Sequence, residues 1–316
     1  MTPHKHRLGV FPTPLQKIPL FLERYGVSLN IKHEATSHYI IGGTKLRSLE
    51  YIFHELSTQN ITDVISLGDI NSNQCKIISI LAKKFNINCH LFIRTPENRA
   101  ALSSNHLFTK IANANIISIP VNKWLMVSAI ANRLLEKLKR ENKKPYFIPF
   151  GCGGFPGFFG IMELGKELLP AISSASQNYI ITPVGSGSLY FALTHFFSQN
   201  INTNVVGICP FEENNHRHAH RFKQWTEELK SFILPINNLF ENLHFNVPLH
   251  LKTLDEMTRV FQEYEVLLDP HYVLPVFLYF ESMIKNNYFQ KGSNIIFINT
   301  GSINLDNELI SNIGHL

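Results

Sequence analysis

Short β-branched runs alternate with amphipathic stretches along most of this chain, a pattern that admits few architectures other than parallel sheets covered by helices. Val64-Ile65-Ser66-Leu67, Cys89-His90-Leu91-Phe92-Ile93 and Ile116-Ile117-Ser118-Ile119 read as three strands of one unit. Helices are predicted around Ser72–Phe85, Glu97–Ala112 and Lys123–Arg140, each long enough for the crossover that parallel strands require. A second series has strands at Tyr179-Ile180-Ile181-Thr182, Asn204-Val205-Val206-Gly207-Ile208 and Ile295-Ile296-Phe297-Ile298, with helices near Leu189–Ser198, Thr253–Tyr264 and Leu274–Ile284. Two sheets imply two domains and a cleft between them, which suits a length of 316 residues. The break is expected near residues 143–150, at Lys143-Lys144-Pro145 and the glycine cluster that follows.

Composition narrows the class. Hydrophobic residues make up 44% and charged residues 17%, ordinary for a globular protein, and no apolar run approaches the ~20 residues of a membrane helix. The basic start Met1-Thr2-Pro3-His4-Lys5-His6-Arg7 leads into Val10-Phe11-Pro12-Thr13-Pro14 rather than the apolar stretch of a secretory signal, so a cytoplasmic location is expected. Cys75, Cys89, Cys152 and Cys209 lack paired spacing and indicate neither a disulfide framework nor a zinc knuckle. The net charge of +5 is not gathered into a basic run with interleaved aromatics. Nucleic acid is therefore a poor partner, and an anionic small molecule is the more economical one.

Gly42-Gly43-Thr44-Lys45 delivers a lysine to the first turn of a helix marked by Leu46, Leu49, Ile52 and Phe53. Cations are usually avoided there because the helix dipole is positive. In a dry cleft, that position lowers an amine's pKa and leaves more of the neutral nucleophile that condenses with an aldehyde. Taken alone, the pattern also fits a loop with a surface lysine.

Three further loops lie just past the carboxyl ends of predicted strands, where open parallel sheets bind their ligands. Gly68-Asp69-Ile70-Asn71-Ser72-Asn73-Gln74 opens a helix, so its amides can face an anion while Ser72, Asn73 and Gln74 orient it. The structural alternative is a capping box from Asn71 to Gln74. Val184-Gly185-Ser186-Gly187-Ser188-Leu189 suits a nest of amides around a phosphate. Ser188, Leu189 and Tyr190 exclude the Walker and dinucleotide patterns there. Asn299-Thr300-Gly301-Ser302 reads only as a turn. His216 and His220, in His216-Arg217-His218-Ala219-His220 after Glu212 and Glu213, have a chelating i,i+4 spacing. Without a third ligand fixed nearby, the expectation is a solvated helix face and no metal.

In this order the pieces resemble the pyridoxal-phosphate family that contains aminocyclopropane-carboxylate deaminase and D-cysteine desulfhydrase, of the tryptophan-synthase-β-like fold. The matching segments include Thr13-Pro14-Leu15-Gln16, Lys32-His33-Glu34-Ala35, the Gly42–Tyr51 stretch, Ser72-Asn73-Gln74 and Ile148-Pro149-Phe150-Gly151. Later come Val184–Leu189, Leu268-Asp269-Pro270-His271-Tyr272 and Asn299-Thr300-Gly301. The resemblance implies an α/β protein of fold type II, two parallel-sheet three-layer domains with pyridoxal 5′-phosphate in the cleft between them. Residues 1–38 and 146–316 would form the larger, cofactor-binding domain and 39–145 a smaller, mobile substrate-side domain. A homodimer and a small amino-acid substrate are expected.

Carried over residue by residue, the resemblance implies that Lys45 holds the cofactor aldehyde and shuttles protons. Asn73 would contact the ring oxygen, Gly185, Ser186, Gly187 and Ser188 the phosphate, and Thr300 the pyridine nitrogen. A hydroxyl at that nitrogen makes a weaker electron sink than a carboxylate would, which favours elimination over transamination. Ser72, Asn73 and Gln74 would receive the substrate carboxylate, with Ser72 and Tyr272 acting on the substrate as acid–base or orienting groups.

Departures fall inside this site. The family's Lys-Arg-Glu-Asp becomes Lys32-His33-Glu34-Ala35, the Asn before the lysine becomes Thr44, and the last Thr of the phosphate loop becomes Leu189. The Gly-Lys pair after the tyrosine reads Val273-Leu274-Pro275, and the tyrosine of a Tyr-Gly-x-Pro turn is Phe245 in Phe245-Asn246-Val247-Pro248. A more apolar pocket and a weaker phosphate grip follow. The expected activity is D-cysteine desulfhydrase-like elimination that turns a small amino acid into a 2-keto acid and ammonia. The alternatives are aminocyclopropane-carboxylate deaminase, or a cofactor-binding or interaction protein that has lost turnover.

Overall fold

Ile295 and Phe297 point into one apolar layer of the molecule and Ile296 and Ile298 into another, the period-two signature of a strand covered on both faces. The computed structural model describes residues 3–95, 104–210, 215–230, 239–245 and 253–301. Its strands are β1 (Leu15–Ile18), β2 (Ser28–His33), β3 (Asp63–Asp69), β4 (Asn88–Thr95), β5 (Asn115–Pro120), β6 (Pro145–Phe147), β7 (Asn178–Pro183), β8 (Thr203–Ile208), β9 (Leu243–His244) and β10 (Asn294–Asn299). They form a six-stranded sheet in the order β1-β2-β10-β7-β8-β9 and a four-stranded sheet in the order β5-β4-β3-β6. Every pairing is parallel except β1 with β2.

The helices are α1 (Pro19–Tyr25), α2 (Thr44–Thr58), α3 (Asn73–Lys84), α4 (Ser104–Ile111), α5 (Val127–Arg140), α6 (Phe158–Leu168), α7 (Ser188–Phe196), α8 (Asn215–Leu229), α9 (Thr253–Tyr264) and α10 (Val273–Lys285). Beside the larger sheet, Phe277 and Phe280 of α10 pack on Ile295 and Phe297, while Leu164 of α6 and Phe191 of α7 pack on Ile296 and Ile298. The smaller sheet repeats this arrangement, with α2 and α3 against Val64 and Leu91, and α5 against Ile65 and Phe92.

All six foreseen strands are present. The helix expected over Lys123–Arg140 is divided, a 3₁₀ turn at Val121–Met126 preceding α5. Of the helix expected over Glu97–Ala112, α4 is the described part, and residues 97–103 lie outside it. The segment at the expected break is itself a strand: β6 pairs with β3, so the smaller sheet reaches residue 147. Pro145 is tolerated because β6 is an edge strand and Pro145 its first residue, where a missing N–H costs little. Among the described residues no helix is long and apolar enough to cross a membrane.

A buried ionic cluster fixes α2 against the larger sheet. Arg47 donates to both oxygens of Glu34 at 2.6 and 2.9 Å and to both oxygens of Glu167, on α6, at 2.8 and 2.7 Å. Lys32 donates to Glu167 at 2.7 Å and to the Thr13 carbonyl at 2.7 Å, while the Thr13 hydroxyl donates to Glu34 at 2.6 Å. Phe11 closes one side, its ring centroid 4.1 Å from the guanidinium carbon. Burial opposes the charge on Glu167, but hydrogen bonds from Arg47 and Lys32 hold its carboxyl below the usual range. Truncating one member leaves buried opposite charges uncompensated, a loss of about 3–5 kcal/mol. Arg47→Ala is therefore expected to lower the urea midpoint with an unchanged denaturant slope. A midpoint equal to that of the parent protein would show that the cluster contributes no stability.

Candidate active site

Strand ends β3, β6, β7 and β10 converge on one cavity of about 620 Å³, within the ~300–1,000 Å³ range typical of small-molecule sites. Lys45, Ser72, Asn73, Gln74, Gly185, Ser186, Gly187, Tyr272 and Thr300 all line it. Of the sequence-predicted site residues only Ser188 is not on the cavity wall, and it stands directly behind Lys45.

Lys45 sits in the first turn of α2. The turn before it requires Gly43, whose φ of +134° is unfavourable for residues with a side chain and whose added Cβ would meet the Thr300 carbonyl oxygen at 2.8 Å. An antiparallel bridge from Gly43 to Gly301 and a 2.9 Å bond from the Thr44 amide to the Thr300 carbonyl tie this turn to the end of β10. The Lys45 amine donates to the Gly151 carbonyl and the Ser188 hydroxyl, both at 3.0 Å. Burial lowers its pKa, assisted by the charge of Arg221 and countered by Cys152. The result is an amine in a fixed place that loses its proton more readily than an exposed lysine.

Opposite it, Gly185, Ser186 and Gly187 lead into α7. An added Cβ on Gly185 would meet no heavy atom within 4 Å, so this wall opens directly to the cavity. The start of a helix after small residues presents amide N–H groups and the positive end of the dipole, a seat for an anion. The Ser186 and Ser188 hydroxyls are 3.2 Å apart, and Ser188 also donates to Gly151 at 2.9 Å.

At the start of α3 the capping differs from the expectation. Ser72, not Asn71, is the N-cap, accepting from the Cys75 amide at 3.2 Å while standing on the cavity wall. Gln74 does not reach back to close a capping box. Its amide nitrogen donates to Ser66 at 3.1 Å and to the Pro149 carbonyl at 2.9 Å, and its oxygen accepts from the Gly151 amide at 2.6 Å. Gln74 thus locks the loop on which Lys45 hydrogen-bonds. Asn73 accepts from Asn105 at 3.0 Å, and a Cβ on Gly301 would lie 3.0 Å from its amide nitrogen, placing Asn73 between α3 and Thr300.

Tyr272, half-buried at the start of α10, donates from its hydroxyl to the two Asp69 oxygens at 3.4 and 3.3 Å. Arg94 lies 3.8 Å from the same carboxylate. Burial and then the Asp69 charge push the Tyr272 pKa well above the ordinary phenol value. Sequence reasoning gave no role to Asp69, Arg94 or Arg221, although all three line the cavity. Asp69 stood inside a highlighted loop, but Arg94 and Arg221 come from distant segments that carry no motif.

Of the substituted positions, Thr44, Leu189 and Val273 line the cavity. Phe245 instead packs half-buried beside His218, with ring centroids 5.6 Å apart. His220 is exposed, as expected of its helix face, and the His216 side chain lies outside the described residues; His218, on the other side of α8, is buried and donates to the Gly185 carbonyl at 3.0 Å.

A buried amine and a glycine loop at a helix start on one cavity wall could accommodate a small molecule that carries both a carbonyl and a phosphate. Comparison with known proteins leads to the same chemistry. Residues 6–301 match the pyridoxal-phosphate-dependent enzyme family. A mitochondrial bifunctional D-cysteine desulfhydrase/1-aminocyclopropane-1-carboxylate deaminase of Arabidopsis thaliana is 32% identical over 58% of this chain and 48% of its own length. A 1-aminocyclopropane-1-carboxylate deaminase of Cyberlindnera saturnus is 24% identical over 94% of this chain and 93% of its own. The fold is also that of a crystallised ACC deaminase homologue, with a TM-score of 0.79, 23% identity and coverage of 94% of this chain and 91% of the other. The chain belongs to the pyridoxal-phosphate-dependent enzyme family, and pyridoxal phosphate is its cofactor.

Proposed function

We propose that this enzyme removes ammonia from a small amino acid with a β leaving group by α,β-elimination, giving a 2-keto acid in the manner of a D-cysteine desulfhydrase. The observation that carries this reading is the combination of a pre-placed Lys45, its pKa lowered by burial, with a phenol held in its protonated form on the wall of the same cavity.

The residues present fit the cofactor. Lys45 would hold its aldehyde, the amides of Gly185, Ser186, Gly187 and Ser188 its phosphate, and Asn73 and Thr300 would flank its ring. When bound, pyridoxal phosphate supplies an electron sink for the charge that develops at the substrate α-carbon. The α3 amides and the Ser72 hydroxyl would bind the substrate carboxylate, with Gln74 contributing its backbone N–H and keeping Gly151 in position. Lys45, released from its covalent role by the substrate amine, would take the α-proton. Tyr272 would give a proton to the departing group, because the Asp69 carboxylate disfavours its phenolate form. Elimination asks only for such a base and such an acid.

A second reading, ring opening of aminocyclopropane carboxylate, is favoured by the names of several relatives. That substrate has no α-proton, and its ring needs additional nucleophilic or acid–base help. Phe245, where the resemblance places a second tyrosine, does not line the cavity and has no hydroxyl, so that help would have to come from another group. We further infer a cytoplasmic homodimer whose residues 39–145 act as the smaller, substrate-side domain against 1–38 and 146–316. The four buried free thiols suit a reducing compartment, and the pairing and domain division follow the family resemblance.

Three measurements test the reading. Lys45→Ala should abolish the visible absorption band and the reducible adduct of the purified protein, and an unchanged spectrum would remove Lys45 from its assigned role. Ser72→Ala should keep the band but slow turnover by about 10²–10⁴, the range for a positioned proton-transfer or orienting group. An unaltered rate would leave Ser72 only its helix cap. Finally, keto acid should form faster from a D-amino acid with a β leaving group, such as D-cysteine, than from aminocyclopropane carboxylate at matched concentration. The opposite ranking would make the deaminase reading the better one.

A further inference from the structure

Arg94, near the end of β4, is the register partner of Asp69 at the end of β3, and both side chains stand on the cavity wall. Their ion pair is loose. The guanidinium nitrogen is 3.8 Å from Asp69 Oδ2, beyond hydrogen-bond length, and among the described residues the Arg94 guanidinium makes no hydrogen bond. Asp69 is served by other donors, the Asn71 amide at 2.9 Å and the Tyr272 hydroxyl at 3.3 and 3.4 Å. Beside Arg94, Trp124 reaches the cavity from the 3₁₀ turn after β5, its ring centroid 5.8 Å from the guanidinium carbon. An indole at that distance attracts the cation through its face and takes up none of its in-plane N–H groups. The donors of a charged group on the cavity wall are thus left unused.

Their position relates them to the reaction. Arg94 and the Tyr272 hydroxyl both approach Asp69 Oδ2, so they are separated by no more than those two distances together, a gap that a tail of a few atoms bridges. We propose that Arg94, steadied by Trp124, is a specificity residue that makes this enzyme favour amino acids whose β leaving group ends in a carboxylate. The inference rests on the reading that places Tyr272 at the departing group. One edge of the guanidinium can stay toward Asp69 while another meets the incoming carboxylate in paired geometry. For a thioether substrate the reaction balances with one water. The Cβ–S bond breaks, the sulfur keeps the electron pair and leaves as a thiol with a proton from Tyr272, and hydrolysis of the released enamine gives the keto acid and ammonia.

The test uses the holoenzyme and three thioethers of D-cysteine, S-carboxymethyl, S-carbamoylmethyl and S-aminoethyl. The first two are nearly equal in size and differ in charge. Wild type should favour the carboxymethyl over the carbamoylmethyl compound in kcat/KM by about tenfold, the lower end for a hydrogen bond between charged groups, because a side chain 43% exposed is partly screened. Arg94→Gln should bring that ratio close to one, and Arg94→Glu should invert the order so that the aminoethyl compound exceeds the carboxymethyl one. Any effect that Arg94 has on Tyr272 through Asp69 is common to all three compounds and divides out of the ratio. A wild-type ratio near one, or a preference retained in Arg94→Gln, would overturn the proposal. The same ratios are read without turnover, from the concentration of each compound that half-perturbs the visible band of the cofactor. Absence of keto acid from D-cysteine and from every thioether would therefore sink the elimination reading alone, while the binding ratios still decide the role of Arg94.

Discussion

The double grip on Arg47 is the constraint from which the site's geometry follows. A lysine near a helix start is useful only if the helix does not rotate or slide, and packing alone permits small shifts of both kinds. Two carboxylates, one after β2 and one on α6, each meet the Arg47 guanidinium through two oxygens, and such paired geometry penalises rotation in a way that apolar contact does not. Desolvation makes the arrangement costly, so stability by itself is a poor reason for it. Its position two residues after Lys45 gives a better one, since the angle of α2 and the aim of the amine are set together.

The group around Asp69 follows a different logic. Asp69 ends β3, Arg94 lies near the end of the neighbouring β4, and Tyr272 begins α10 against the larger sheet. Their contact brings a carboxylate from one sheet to a phenol carried by the other, above the α3 start where Ser72 and Asn73 stand. Charge balance within this group sets which proton state faces a bound molecule. The pocket is therefore less apolar than the substitutions at Leu189 and Val273 suggest.

Much of the fold was legible because a parallel strand covered on both faces must be a nearly unbroken apolar run, as in Val64–Leu67 and Ile295–Ile298. The strands not foreseen, β1, β2, β6 and β9, are either short or alternate polar with apolar residues at the margins of their sheets, where one face reaches solvent or a loop. Lys45 and the glycine loop could be read locally because each announces itself by glycine. Arg47 and Arg221 could not, since an arginine on an amphipathic helix looks the same whether it meets solvent, two buried carboxylates or a cavity. Gln74 illustrates a third case: its position was legible, but its partners, Gly151 and Pro149, lie more than seventy residues away.

The bridge between Gly43 and Gly301 joins the Lys45 turn to the end of β10 across the boundary between the two sheets. It acts as a pin at one end of the cleft. The bridge and the bond from the Thr44 amide to the Thr300 carbonyl together fix the spacing between the Lys45 turn and the end of β10. One end of the cavity is thereby held by backbone bonds, so its shape does not depend on which side chains Thr44 and Thr300 carry.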